Sequence, residues 1–196
     1  MKKLKKLSKN KKHDFNVVII YGTVAVGKFT VANELQKIIK YKFFHNHHTH
    51  DLARLLFKRE SVHLSRLIEN TRLLIFKEIA DAKINVVTTH AYSPTFISST
   101  KLTDPMYMKK IEAIIKKNGG RACFVHLVAD NKEILKRVLG ESRKNSRKLK
   151  DKKIMKEILK ENIWKIPAPV KNNIQIDNTD LSPRKVVKII IKHFEL

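Results

Sequence analysis

The run Gly22-Thr23-Val24-Ala25-Val26-Gly27-Lys28-Phe29-Thr30 holds residue types that can close around a polyphosphate. In a Gly-x-x-x-x-Gly-Lys loop between a buried strand and a helix, backbone N–H groups turn toward anionic oxygens. The helix N-terminus adds its positive end, and Lys28 reaches the outer phosphates. Nucleoside triphosphate binding is therefore the first expectation, with Gly22, Val24, Ala25, Val26, Gly27, Lys28, Phe29 and Thr30 around the phosphates. Two more stretches carry reactive types: His45-Asn46-His47-His48-Thr49-His50-Asp51, and the basic run Ser142-Arg143-Lys144-Asn145-Ser146-Arg147-Lys148-Leu149-Lys150.

The elements around the loop follow from hydropathy patterning. Phe15 to Tyr21 is apolar and β-branched, as a strand buried on both faces must be, and Val31 to Ile39 reads as the following helix. A short strand at Lys42 to His45 precedes a helix over Asp51 to Phe57. An amphipathic helix over Val62 to Ala80 carries Leu64, Leu67, Ile68, Thr71, Ile75 and Ile79 on one face. Ile84 to Thr89 is a strand, and a helix near Pro105 to Lys117 stops at Gly119-Gly120. Arg121 to Val128 is the next strand, with a helix opening at Asp130. Ile174 to Ile176 precedes a helix capped by Ser182 with Pro183 in its first turn. Strands alternating with helices predict an α/β fold: a three-layer, doubly wound, parallel five-stranded sheet whose ligands gather at the carboxyl ends of the strands.

Read together, these features resemble a known group. The Gly-Lys-x-Thr ending of the loop is similar to that of nucleoside monophosphate kinases. With the Phe43-Phe44-His45-Asn46-His47 turn, the basic run and the closing Ile176-Asp177-Asn178-Thr179-Asp180-Leu181-Ser182-Pro183, residues 15 to 195 look like the shikimate-kinase-like branch of P-loop small-molecule kinases. Within it the chain looks most like bacterial ATPases of the AAA type carrying the Phe-His-Asn-His turn. It departs from shikimate kinase itself after the third strand, where Thr88-Thr89-His90 replaces a Gly-rich turn. The resemblance implies ATP and Mg²⁺ as cofactors, with Thr30 the hydroxyl that serves phosphate and metal. It also implies that Asn178 and Thr179 lie beside the adenine, that 43–82 is an acceptor region and that 142–155 is a lid. Arg143 would be the lid's catalytic cation, Arg147 a lid partner and Arg137 a nucleotide contact; a solvated basic linker is the alternative for this run.

For the acceptor, His45, Asn46 and His47 are expected to hydrogen-bond it and Asp51 to act as base or orienter. Asp51 also suits a helix N-cap, and both roles are compatible. The resemblance places Arg72 on the acceptor, while a surface ion pair with Glu69 competes for it. Four His in six residues raise zinc, but no Cys joins them and no established helix pairs them, so neutral substrate contacts are favoured. No carboxylate closes the third strand. Asp130 closes the fourth, but Asp130 with Glu133 reads better as a helix-capping pair than as a metal ligand.

The chain has 196 residues, enough for one kinase domain over 15–196 behind a basic tail over 1–14. Its formal net charge of +24 invites nucleic acid as a partner, yet only nine of 42 basic residues are Arg and no aromatics interleave them. A Lys-rich solvated surface, of the kind an AT-rich coding sequence gives, is favoured. The tail with the apolar run copies a signal peptide superficially, but the run ends in the phosphate loop and lacks a cleavage site. Cys123 alone in an apolar strand fits a core thiol in a reducing compartment, and a cytoplasmic protein with no membrane partner is expected. The leading function is transfer of the γ-phosphoryl group of ATP to a small-molecule acceptor. A kinase acting on a nucleic-acid end and a non-catalytic nucleotide-binding module are the alternatives. Oligomeric state is not legible.

Overall fold

The computed structural model describes residues 13–140, 149, 151–160 and 162–196. The first apolar run forms β1 (Asn16–Gly22), buried from Val17 onward. It is the centre of a five-stranded sheet of order β2-β3-β1-β4-β5, with β2 (Lys42–Phe44), β3 (Val86–Ala91), β4 (Arg121–Val128) and β5 (Asn173–Asp177). Every pairing is parallel, with Val17 aligned to Val86 on one side and Ala122 on the other. The chain leaves β1 toward β2 and β3, then crosses to β4 and β5. The carboxyl end of β1 is thus the point where the winding reverses, and a crevice opens there.

Alternation along the strands sends side chains into two cores. Val18, Ile20, Val125 and Leu127 pack with α1 (Lys28–Ile39), α5 (Asn131–Val138), α6 (Lys152–Leu159) and α7 (Pro183–Phe194). Val17, Ile19, Tyr21 and Phe124 face α3 (Val62–Asp81) and α4 (Asp104–Lys117) through Phe76, Met108, Ile111 and Ile115. Caps fix several helix starts: Ser61, Thr103, Asp130, Asp151 and Ser182 each accept a backbone N–H from the first turn.

The structure differs from the sequence reading at several points. The helix expected over Asp51 to Phe57 is α2 (His47–Ala53). It starts directly after the β2 turn, and Leu55 and Leu56 beyond it are exposed, with no surface against which a further turn could be buried. β3 runs two residues later than expected, which brings His90 into the sheet beside Tyr21. α6 was not foreseen; Asp151 caps it, and Met155 and Leu159 bury one stripe. Within α3, Phe76 rather than Thr71 is the residue that fills the core.

Candidate functional site

The phosphate loop leaves β1 at Gly22 and enters α1 at Lys28. Gly22 has φ 140°, and a Cβ there would run into the Leu127 carbonyl, so only glycine permits this exit. Ala25 and Gly27 also have positive φ, at 64° and 101°. The Val26 carbonyl accepts from Asn178 Nδ2 at 2.9 Å and from Arg137 Nη1 at 3.1 Å. A trans peptide points its C=O and N–H in opposite directions. Anchoring the Val26 carbonyl at the rear therefore turns the Gly27 N–H toward the front of the loop. No side chain caps α1 and its first turn holds no acidic residue, so its positive end is left for an anion. Lys28 Nζ donates to the Gly22 and Thr23 carbonyls at 2.9 and 2.6 Å, bridging the loop's first half, and Thr30 is exposed in the first turn of α1. A helix start with no side-chain cap and a loop held from behind are features suited to an anion.

Arg137 and Asn178 sit behind the loop. Beyond the Val26 carbonyl, Arg137 donates to Asn178 Oδ1 and O at 3.0 Å each, to Thr179 O at 3.3 Å and to Glu133 at 2.9 Å. Asn178 is buried and its N–H donates to Val128 O. Thr179 accepts from the Asp130 N–H at 2.7 Å and is held by Asp177. Residues 177–179, the start of α5 and the loop are thus one hydrogen-bonded unit. Asp130 caps α5 through Lys132 N, whereas Glu133 pairs with Arg137 instead of completing a capping box.

Phe29, between the lysine and the hydroxyl, joins α1 to its neighbours. Its ring meets Phe43 at 5.6 Å and His45 at 4.9 Å, tying α1 to β2. His45 is buried, accepts from the His47 N–H at 3.1 Å and stacks on the His47 ring at 4.9 Å. Asn46 accepts from Thr89 Oγ1 at 3.0 Å, and its carbonyl accepts from Arg72 Nη2 at 2.6 Å, while Arg72 Nε donates to Thr49 Oγ1 at 2.7 Å. The structure therefore joins Asn46 and Arg72 directly, and the guanidinium turns inward toward α2, not outward to Glu69. Burial lowers the pKa of Arg72, and the neighbouring Tyr107 and Asp104 oppose that shift. Asp51 lies within α2 and is not its N-cap, because the helix begins four residues earlier; its Oδ1 is buried with no protein partner. Among the described residues no group of three or more His, Cys, Asp or Glu gathers as a metal site. Arg143 and Arg147, with most of the expected lid, lie outside the described residues.

Two features escaped the sequence. His90 is next to last in β3, a strand that no carboxylate closes, and its Nε2 lies 3.2 Å from Asp104 Oδ1, with the Ser93 N–H donating to Oδ2 at 2.8 Å. Asp104 opens α4, and its partner is 14 residues upstream. A cleft lies beside Thr23, between the Tyr92–Thr95 segment and α6 with Trp164. The chain's sole tryptophan was a signal for it that periodicity could not place.

Searches against known proteins reach the fold but no close relative. No protein-family model matches the chain, and no curated protein matches it in sequence. Solved structures do match. A sugar kinase from Janibacter sp. HTCC2649 is 13% identical with TM-score 0.63, covering 92% of this chain and 95% of its own. A gluconokinase from Sinorhizobium meliloti 1021 is 12% identical with TM-score 0.60, covering 94% and 93%. Shikimate kinase from Bacteroides thetaiotaomicron is 14% identical with TM-score 0.61, covering 92% and 98%. The chain has the P-loop kinase fold over nearly its whole length. No described helix is long and apolar enough to cross a membrane.

Proposed function

We propose that the protein is an ATP-dependent phosphotransferase acting on a small molecule, with residues 15–196 as one kinase domain. The observation that carries this reading is the rear anchoring of the Val26 carbonyl, which presents the Gly27 N–H and the uncapped start of α1 to an anion. The likeness to sugar, gluconate and shikimate kinases supports the same reaction class.

Phosphoryl transfer asks the protein chiefly for position and positive charge. Backbone N–H groups of Val24 to Phe29 hold the phosphates, and Lys28 neutralises their outer oxygens. Arg137, Asn178 and Thr179 keep the loop in register beside the base. Mg²⁺, held with the phosphates through Thr30, supplies charge neutralisation when bound. Asp51, whose buried Oδ1 has no hydrogen-bond partner, is kept as the base or orienter for the acceptor. Arg143 and Arg147 would close over the reacting groups. His45, Asn46, His47 and Arg72 shape the wall on the α2 side. Cys123, a buried free thiol, fits the reducing cytoplasm.

The experiment is ADP release with ATP and Mg²⁺ across a broad metabolite panel. Acceptor-dependent ADP formation is expected; ATP binding without any acceptor-dependent turnover would overturn the enzyme reading. That second outcome is the behaviour of a nucleotide-binding module, the reading that a β3 closed by no carboxylate favours.

A further inference from the structure

We infer that the His90–Asp104 pair takes the proton of the attacking hydroxyl, with His90 Nδ1 as the base and Asp104 as the residue that positions it. The inference deepens the phosphotransfer reading and rests on it. Of the two roles open to Asp51, it leaves orientation.

Position comes first. β3 lies directly beside β1, with His90 aligned to Tyr21 and Ala91 to Gly22, the residue at which the phosphate loop begins. Neighbouring strands are about 4.8 Å apart. The Tyr92 N–H donates to Gly22 O at 3.1 Å, so the chain just beyond His90 is tied to the loop as well. Ligands of a doubly wound sheet gather at these strand ends. His90 also lines a narrow cavity together with Asn46, Arg72, Thr89 and Tyr107. Asn46 and Arg72 are the residues expected on the acceptor. One cavity therefore joins the ring to the acceptor wall, and one strand pairing joins it to the phosphate loop.

The pair has the geometry of a base held by a carboxylate. His90 Nε2 lies 3.2 Å from Asp104 Oδ1, and Asp104 Oδ2 accepts the Ser93 N–H at 2.8 Å. Asp104 is the first residue of α4, whose positive end favours its charge. A carboxylate only accepts, so Nε2 carries the ring hydrogen and Nδ1 keeps a lone pair. Tyr107 meets the ring at 4.9 Å and limits its rotation. Nδ1 has no hydrogen-bond partner among the described residues, and the His90 side chain keeps 10% of its surface open. It differs in this from His126 Nε2, which is closed off without a partner.

In the step itself, the acceptor hydroxyl oxygen bonds to the γ-phosphorus as its proton passes to Nδ1. The bond from that phosphorus to the β,γ-bridging oxygen breaks, and ADP leaves with the electron pair. The imidazolium faces Asp104 through Nε2–H, then returns the proton to solvent. The titratable or charged groups around the ring are Asp104 and Tyr107 from α4, Arg72 from α3, Tyr21 from β1 and Tyr92 after β3, while the β2 side contributes Phe44 and Asn46. Burial pushes the three phenols up, so they stay neutral across the working pH range.

The test measures ADP release by the full chain with ATP, Mg²⁺ and D-glucose, D-ribose, shikimate or D-gluconate as acceptor probe, with water alone as a further acceptor. With the fastest of these, the rate of the parent should fall toward acid pH. His90→Gln should lower turnover about a hundredfold or more, lose that acid limb and keep the parent's ATP affinity in calorimetry. Asp104→Asn should lower kcat and leave the KM of the probe nearly unchanged, because an amide can donate to Nε2 and move the ring hydrogen to Nδ1. Free imidazole should restore turnover to His90→Ala, which a merely structural role would not allow. Nitrogen NMR of the His90 ring in the parent needs no variant to fold, and should show the hydrogen on Nε2 with Nδ1 bare. Parent-like turnover or an unchanged acid limb in His90→Gln, no rescue of His90→Ala, or a neutral His90 ring with its hydrogen on Nδ1 overturns the inference alone. ATP bound by the parent with no ADP released to any probe or to water refutes the phosphotransfer reading and the base together.

Discussion

Arg137→Met separates a residue that shapes the phosphate loop from one that touches nucleotide. Methionine keeps much of the aliphatic stem but removes the donors to Val26 O, Asn178 O, Asn178 Oδ1 and Thr179 O. Val26 O keeps Asn178 Nδ2, so the principal losses are the charged bonds to the two carbonyls at 178 and 179. Each such bond contributes roughly 1.5–3 kcal/mol. The Arg137 side chain is 25% exposed, so water refills part of the network and the expected net loss is about 2–3 kcal/mol. For a chain of this size that lowers the melting temperature by roughly 5–10 °C. ATP affinity should fall with it, because the Val26–Gly27 peptide loses one of its two rear anchors. Thermal denaturation and ATP calorimetry on the same preparation read both effects. An unchanged melting temperature would refute the buttress; if ATP affinity fell nonetheless, Arg137 would be a direct nucleotide contact.

Gly22→Ala places a Cβ against the Leu127 carbonyl at φ 140°, so it should cost at least about 2 kcal/mol and abolish ATP binding. A variant that melts and binds ATP like the parent would contradict the loop geometry. Burial pushes the Cys123 thiol from 9.0 up to about 11. The folded state thus holds this proton more tightly than the unfolded state. Its contribution to stability is complete below about pH 9 and is lost as pH rises toward 11. Cys123→Ala should flatten that part of the alkaline decline in melting temperature, and an identical slope in parent and variant would refute the linkage. Native Cys123 should also resist thiol labelling at pH 8 until the chain unfolds, and rapid labelling of folded protein would contradict its burial.

The fold was legible because its signals are local. The β-branched run before Gly22, the Asp130 and Ser182 caps, and the loop spacing each name an element without help from the rest of the chain. The site was legible only where one segment makes it. Phe29 looked like an irregularity in the loop until Phe43 and His45 were seen against it. Asp51 suggested a cap because its helix was begun four residues late, and no periodicity in so short a helix opposes that error. Arg137 and Asn178 are 41 residues apart and meet behind Val26, so their joint task is invisible to spacing. The same holds for His90 with Asp104, and for the cleft that brings Tyr92 and Trp164 to Thr23.

The central claim is that the 22–30 loop is a triphosphate site, and calorimetry of ATP with Mg²⁺ on the parent and Lys28→Ala tests it most directly. The account predicts one site per chain in the parent and at least about a tenfold loss of affinity in the variant, which should still unfold cooperatively. No binding to the parent, or equal affinity in both proteins, would contradict it.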